Sequence, residues 1–127
     1  ENLKRGVGGT VDVETIAQML TLRSIADQPD GVATGTIESL KELAERNVLP
    51  EEQTQTLIDN YRYLRGVEAN LRLMNSPERH ALPDDESKMR DLAFLMSQAD
   101  PRVIENQVQR ARSSNRALFE QIFDSPA

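Results

Sequence analysis

Residues 50–74 read PEEQTQTLIDNYRYLRGVEANLRLM, and the apolar side chains within them recur at helical spacing. The resulting stripe comprises Leu57, Tyr61, Leu64 and Leu71. Such spacing is typical of one face of an α-helix, in which about 3.6 residues make a turn. Pro50 fits the first helical position, and Glu51 and Glu52 follow where the helix dipole favours anions. The sequence therefore predicts a helix over residues 50–74, about 36 Å long.

Further helices are predicted on both sides of this one. They cover residues 10–26, 36–46, 84–98 and 101–123. Thr10 is the expected N-cap of the first, and Asp100 before Pro101 is the strongest start signal, because Asp caps a helix and Pro fits the next position. Residues 27–31 are rich in turn formers, and residues 75–84 hold two prolines and form an irregular connector. We expect an all-α bundle of about five helices, two of them long.

The composition excludes several classes of function. The chain has 127 residues, with 15 Lys and Arg against 21 Asp and Glu, giving a net charge of −6. This acidic balance disfavours nucleic acid and anionic membranes as partners. Cysteine is absent and His80 is the one histidine, so we expect no metal site built on thiolates or on several histidines, and we expect a cytoplasmic location. The first residue is Glu1 rather than Met, which suggests a piece of a longer protein.

The first predicted helix is apolar on two sides. Its main face carries Val13, Ile16, Ala17 and Leu20. Val11 and Leu22 lie about 160–180° away at 100° per residue. Two interpretations stay open: a central helix covered all round by its own bundle, or a helix that has lost a neighbour. In the second case, self-association through Val11 and Leu22 is expected.

Glu68 falls near the middle of the apolar stripe of the helix over residues 50–74. A carboxylate buried there needs a partner, because an unpaired buried charge is costly. Arg65 and Arg72 lie three and four residues away, so ion pairs within the helix are expected. Asn115 interrupts the stripe of the last helix in a similar way. We predict a polar network of these four residues, which either fixes the helix register or has a direct role in regulation or ligand binding.

The segment before the first helix reads LKRGVGGT, residues 3–10. Adjacent glycines ahead of a helix can bring backbone amides close to an anion, and the helix N-terminus adds positive charge. The ordinary alternative is a helix lead-in. Other catalytic arrangements are disfavoured. A histidine phosphotransfer bundle needs its histidine on an exposed helix face, but His80 lies between Pro77 and Pro83, where a long helix is not expected. The sequence also contains no P-loop.

Three blocks resemble a known family. The first consists of Lys4, Gly8, Gly9, Asp12, Val13, Glu14, Ile16 and Gln18. Further blocks lie at residues 61–83 and 116–123. Together they are similar to the pattern of the bifunctional glutamine synthetase adenylyltransferase/adenylyl-removing enzymes, in which the first block joins a nucleotidyltransferase domain to a helical domain. Thr15 departs from the usual Phe, and Arg72 stands where Gln is common.

The resemblance implies AMP transfer from ATP to a tyrosine of glutamine synthetase, and AMP removal, under control of the PII protein and glutamine. In the family this chemistry uses magnesium held by an Asp-x-Asp pair, which this chain lacks. We therefore expect residues 1–9 to be a lead-in loop from an absent nucleotidyltransferase domain and residues 10–127 to be a helical bundle. The isolated chain is expected to bind no cofactor and to be inactive.

The resemblance also implies roles for particular residues. Lys4, Gly8 and Gly9 become candidate cofactor-binding residues. Asp12 and Glu14 become candidate catalytic residues contributed to the neighbouring domain. They point about 200° apart on a helix and cannot bind one ion together, so Asp12 is favoured for the site and Glu14 for packing, with helix capping as the alternative for each.

Two other functions remain open. One is an unrelated helical protein-interaction module, in which the glycines are only a lead-in. The other is a small-molecule sensor that binds glutamine in the bundle core, near Glu68 and Asn115.

Overall fold

The computed structural model describes residues 2–25 and 35–124. These residues form five helices: α1 (Thr10–Ile25), α2 (Thr36–Glu45), α3 (Glu51–Leu73), α4 (Glu86–Leu95) and α5 (Pro101–Phe123). Within the same ranges, β pairing is confined to an isolated bridge between Asn2 and Ala81. The predicted all-α bundle with two long helices is confirmed, since α3 and α5 have 23 residues each. The predicted turn at residues 27–31 lies outside the described residues.

Helix starts follow most of the sequence signals. Asp85 and Asp100 each accept a hydrogen bond from the backbone amide two residues on, at 2.8 and 3.0 Å, and Pro101 opens α5. Pro50 is the N-cap of α3 rather than its first residue. Thr10 is the first residue of α1 rather than its N-cap, and its buried hydroxyl has no hydrogen-bond partner within the described residues.

Three helices end in the same way. The residues after the C-caps of α2, α3 and α4 are Asn47, Asn75 and Ser97, with φ of 60°, 55° and 57°. In each case the amide of this residue bonds to the carbonyl three residues back, and the next amide bonds to the carbonyl five residues back. This is the Schellman motif, which satisfies two carbonyls at the end of a helix. None of the three positions is glycine, so the stop signals in the sequence are weak there.

The interior is divided into two cores. The α4 core consists of Leu3, Leu64, Val67, Leu71, Met89, Leu92, Ala93, Ile104, Val108 and Ala111. The α2 core consists of Val13, Ile16, Ala17, Leu20, Leu40, Leu43, Leu49, Leu57 and Ile58, with the C-terminal end of α5 packed against it. The N-terminal half of α3 therefore packs against the C-terminal half of α5 in the α2 core, and the C-terminal half of α3 packs against the N-terminal half of α5 in the α4 core. The two long helices run antiparallel and connect both cores.

The main predicted face of α1 is buried in the α2 core. On the other side, Leu22 is 56% exposed and Met19 is 41% exposed, while Val11 is half-buried. The described part of the bundle thus leaves the second apolar face of α1 largely uncovered. Among the helices described, none has the length and apolar character that crossing a membrane requires.

Candidate functional site

Residues 2–9, the lead-in segment, fold into a tight turn against the bundle. The side-chain oxygen of Asn2 accepts hydrogen bonds from the amides of Lys4 and Arg5 at 2.9 and 2.6 Å. Leu3 is 1% exposed and belongs to the α4 core, and its amide donates to the carbonyl of His80. The lead-in segment is therefore part of the packed body of the protein.

The two glycines are required by close packing. Gly8 has a φ of 74°, which only glycine adopts without strain, and a Cβ there would overlap the backbone of Arg112 in α5. A Cβ on Gly9 would overlap the carbonyl oxygen of Leu3. Both residues are buried. Contact between the lead-in segment and the α5 backbone, together with its own tight turn, thus accounts for this glycine pair.

The amides of the glycines are already used within the chain. The Gly8 amide donates to Oδ2 of Asp12 at 2.7 Å, and the Gly9 amide donates to the carbonyl of Gly6 at 2.9 Å. The side chain of Lys4 makes no hydrogen bond or ion pair within the described residues. In this conformation the amides of Gly8 and Gly9 therefore do not form the phosphate cradle that the sequence suggested, whereas the cofactor-binding role of Lys4 stays a prediction.

Helix α5 holds the lead-in segment from one side. The Arg112 side chain donates from Nε to the carbonyl of Val7 at 3.0 Å. The side chain of Asn115 donates from Nδ2 to the carbonyl of Gly8 at 2.9 Å, and its Oδ1 accepts from Nδ2 of Asn60 in α3 at 3.0 Å. Asn115 is fully buried. It therefore belongs to this contact, and the prediction that it joins a network around Glu68 is wrong.

The two candidate catalytic carboxylates point to different partners. Asp12 accepts from the Gly8 amide, and the same oxygen lies 3.6 Å from Nη1 of Arg116. Glu14 accepts from the hydroxyl of Tyr61 in α3 at 2.8 Å. Burial raises the pKa of Tyr61 above its ordinary value of 10.0, and the Glu14 hydrogen bond adds to the rise. Glu14 thus joins α1 to α3, and Asp12 stabilises the start of α1.

Glu68 is buried, as its place in the stripe predicts, with 2% of its surface exposed. Its Oε2 lies 2.6 Å from Nδ1 of His80, and its Oε1 has no hydrogen-bond partner within the described residues. Arg65 and Arg72 are exposed and make no ion pair with Glu68 in the described structure. The predicted arginine partners are wrong, because the connector between α3 and α4 folds back and brings His80 to this carboxylate.

A cleft of about 400 Å³ lies beside the lead-in segment. It is lined by Val7, Gln109, Arg112, Ser113, Arg116, Ala117 and Glu120. Among the described residues, no group of three or more His, Cys, Asp or Glu side chains is placed to hold a metal ion. The polar groups of this region are held by fixed hydrogen bonds and ion pairs, and the guanidinium groups of Arg112 and Arg116 lie at the wall of the cleft.

These features define a class: an all-α bundle with a glycine-containing lead-in segment locked against its last helix. The family model described as GlnD PII-uridylyltransferase matches residues 1–123. The chain belongs to this family. That membership overturns the alternative of an unrelated helical interaction module.

Relatives support the resemblance seen in the sequence. The "Bifunctional glutamine synthetase adenylyltransferase/adenylyl-removing enzyme" of Neisseria meningitidis is 31% identical over 126 residues, which are 99% of this chain and 14% of that protein. The proteins of the same name from Thioalkalivibrio sulfidiphilus and Agrobacterium fabrum are 32% and 28% identical, over 99% and 94% of this chain and 13% of each relative. The chain thus spans about one seventh of the relatives it matches.

Proposed function

We propose that this chain is a non-catalytic helical region of a glutamine synthetase adenylyltransferase/adenylyl-removing enzyme. It supports AMP transfer from ATP to a tyrosine of glutamine synthetase, and removal of that AMP. Residues 1–9 lead from a nucleotidyltransferase domain of the same polypeptide into the bundle of residues 10–127. That domain binds ATP and magnesium. The partners are glutamine synthetase and the PII protein, and the reaction takes place in the cytoplasm.

The attachment of the lead-in segment to the bundle carries this proposal. Leu3 is buried in the α4 core, and Gly8 is hydrogen-bonded to Asn115 and packed on the α5 backbone. A domain joined ahead of residue 2 would therefore be attached to a rigid body rather than to a flexible linker. Such an attachment suits a region that fixes the placement of a catalytic unit.

The separation of the carboxylates supports a non-catalytic role. Asp12 and Glu14 contact different elements, and neither lies in a group of acids that could hold magnesium within the described residues. Transfer of a nucleotidyl group depends mainly on metal ions and on positioning, since charge builds up on phosphate oxygens. The expected contribution of this chain is the positioning.

The long helices supply a route for regulation. Because α3 and α5 both connect the α4 core with the α2 core, a partner that moves one end of the bundle also moves the other. A glutamine site in the core has less support. Glu68 bonds to His80 and Asn115 bonds to Gly8 and Asn60, so the polar network expected to line that site is not formed.

The test compares the purified chain with the intact protein that contains it. Each is incubated with radiolabelled ATP, magnesium and glutamine synthetase, and label on glutamine synthetase is counted. We expect transfer by the intact protein and none by the chain alone. Transfer by the chain alone would overturn the non-catalytic role, and an intact protein that transfers no AMP under any PII or glutamine condition would overturn the assignment of the reaction.

A further inference from the structure

The backbone of Gly8 is held by hydrogen bonds at both its amide and its carbonyl. Its carbonyl accepts from Nδ2 of Asn115 at 2.9 Å, and its amide donates to Oδ2 of Asp12 at 2.7 Å. Asn115 is fully buried, and Asn60 fixes the orientation of its amide by donating to Oδ1 at 3.0 Å. A continuous set of hydrogen bonds therefore runs from α3 through α5 and the lead-in segment to α1.

Asp12 lies at the end of this set with one oxygen still available. Oδ2 accepts from Gly8 and lies 3.6 Å from Nη1 of Arg116, whereas Oδ1 makes no hydrogen bond within the described residues. The side chain is 20% exposed. The carboxylate is thus held in one orientation while its second oxygen can be reached from outside the bundle.

We propose that Asn115 is a positioning residue for the reaction of the intact protein. It acts through Gly8: by fixing the Gly8 backbone it fixes Oδ2 of Asp12, and so directs Oδ1 toward a hydrogen-bond donor on the neighbouring domain. This inference rests on the proposed function. Asn60 assists by holding the Asn115 amide with its NH₂ group toward Gly8.

Asparagine is well suited to this position. Its amide donates to Gly8 and accepts from Asn60 at the same time, which a carboxylate of the same shape cannot do. Asn115→Asp keeps the volume and the acceptor for Asn60 but replaces the donor to Gly8 by an oxygen. The ionised carboxylate therefore loses the hydrogen bond to Gly8, and because it places a charge at a fully buried position it also costs stability.

The experiment uses the intact protein with Asn115→Asp, Asn60→Ala and the control Asn70→Ala. Asn70 is a half-buried asparagine of α3 whose side chain, within the described residues, bonds to the carbonyl of Gly66 in its own helix, at 2.9 Å. We expect Asn115→Asp to lower kcat for AMP transfer by about 10- to 100-fold, as a displacement of about 1 Å does, with the KM for ATP nearly unchanged. Asn60→Ala should give a smaller loss of the same kind, and Asn70→Ala none.

Hydrogen exchange supplies a readout that does not depend on activity. Amides of residues 8–12 should exchange at least about tenfold faster in Asn115→Asp than in Asn70→Ala, while the amides of α4 stay unchanged. If Asn115→Asp does not fold, the kcat loss and faster exchange in Asn60→Ala decide the question.

The outcomes separate the two proposals. An active wild-type protein whose kcat is equal for Asn115→Asp and Asn70→Ala would overturn the positioning role alone. A wild-type protein without AMP transfer would overturn the proposed function, and the exchange rates would then decide whether Asn115 fixes the segment.

Discussion

His80→Ala should destabilise the protein strongly, because it leaves the Glu68 carboxylate without its partner. Glu68 is 2% exposed, its Oε2 lies 2.6 Å from Nδ1 of His80, and its Oε1 is unpartnered within the described residues. A hydrogen bond to a charged group contributes about 1.5–3 kcal/mol, and leaving a buried polar group unsatisfied costs at least about 1–3 kcal/mol. Since the His80 side chain is 38% exposed, water can approach the vacated space, and we expect a loss of about 2–3 kcal/mol.

Thermal unfolding followed by circular dichroism measures this loss. For a domain of this size, about 1 kcal/mol corresponds to about 4 °C in Tm, so His80→Ala should lower Tm by about 8–12 °C. Arg79→Ala is the matched control, because Arg79 is the exposed neighbour in the same connector. Its Tm should stay within about 2 °C of wild type.

A double-mutant cycle with Glu68→Gln isolates the pair itself. When Glu68→Gln has replaced the carboxylate by a neutral amide, removal of His80 should cost less than about 1 kcal/mol, because no buried charge is left unpaired. The reasoning fails if His80→Ala is as stable as Arg79→Ala. It also fails if His80→Ala costs the same in the Glu68→Gln background as in the wild-type protein.

Four further changes follow from the same structure. Gly8→Ala should cost at least about 2 kcal/mol in urea unfolding, because of its positive φ and the overlap with Arg112. Gly66→Ala, in the middle of α3 with open space around it, should instead stabilise by about 0.5–1 kcal/mol. Ser97→Gly should stabilise by about 0.5 kcal/mol, since it relieves a left-handed serine. Burial raises the pKa of Tyr61 above 10.0, so the folded state keeps the proton of the Tyr61 hydroxyl to a higher pH than the unfolded state does. The free energy of unfolding should therefore fall as pH rises beyond 10.0. Tyr61→Phe should make that fall shallower in urea titrations at about pH 9 to 11.

The helices could be predicted because their signals are local. Apolar spacing identified α3 and α5, and Asp100 before Pro101 marked the start of α5 to the residue. Helix ends were harder, because the left-handed positions carry Asn75 and Ser97 instead of glycine. Only the completed backbone geometry shows that these residues close Schellman motifs.

The candidate site could be predicted only in part. The stripes of α3 and α5 showed that Glu68 and Asn115 would be buried polar residues, since each stands among apolar positions. Their partners came from elsewhere in the chain: His80 reaches Glu68 across a connector, and Gly8 reaches Asn115 from 107 residues away. Sequence spacing describes neighbours on one helix, whereas these contacts depend on how separate elements pack.

Leu3 lies next to α1 in the sequence, but its side chain supports a different part of the molecule. Leu3 precedes α1 by only a short turn, yet it fills the α4 core, while α1 itself packs in the α2 core. Trimming the first few residues would therefore loosen the α4 core, and it would also remove the carbonyls of Leu3 and Lys4 that accept hydrogen bonds from the amides of Thr10 and Val11 at the start of α1. A shortened version designed to begin at α1 would lose a side chain that α4 needs.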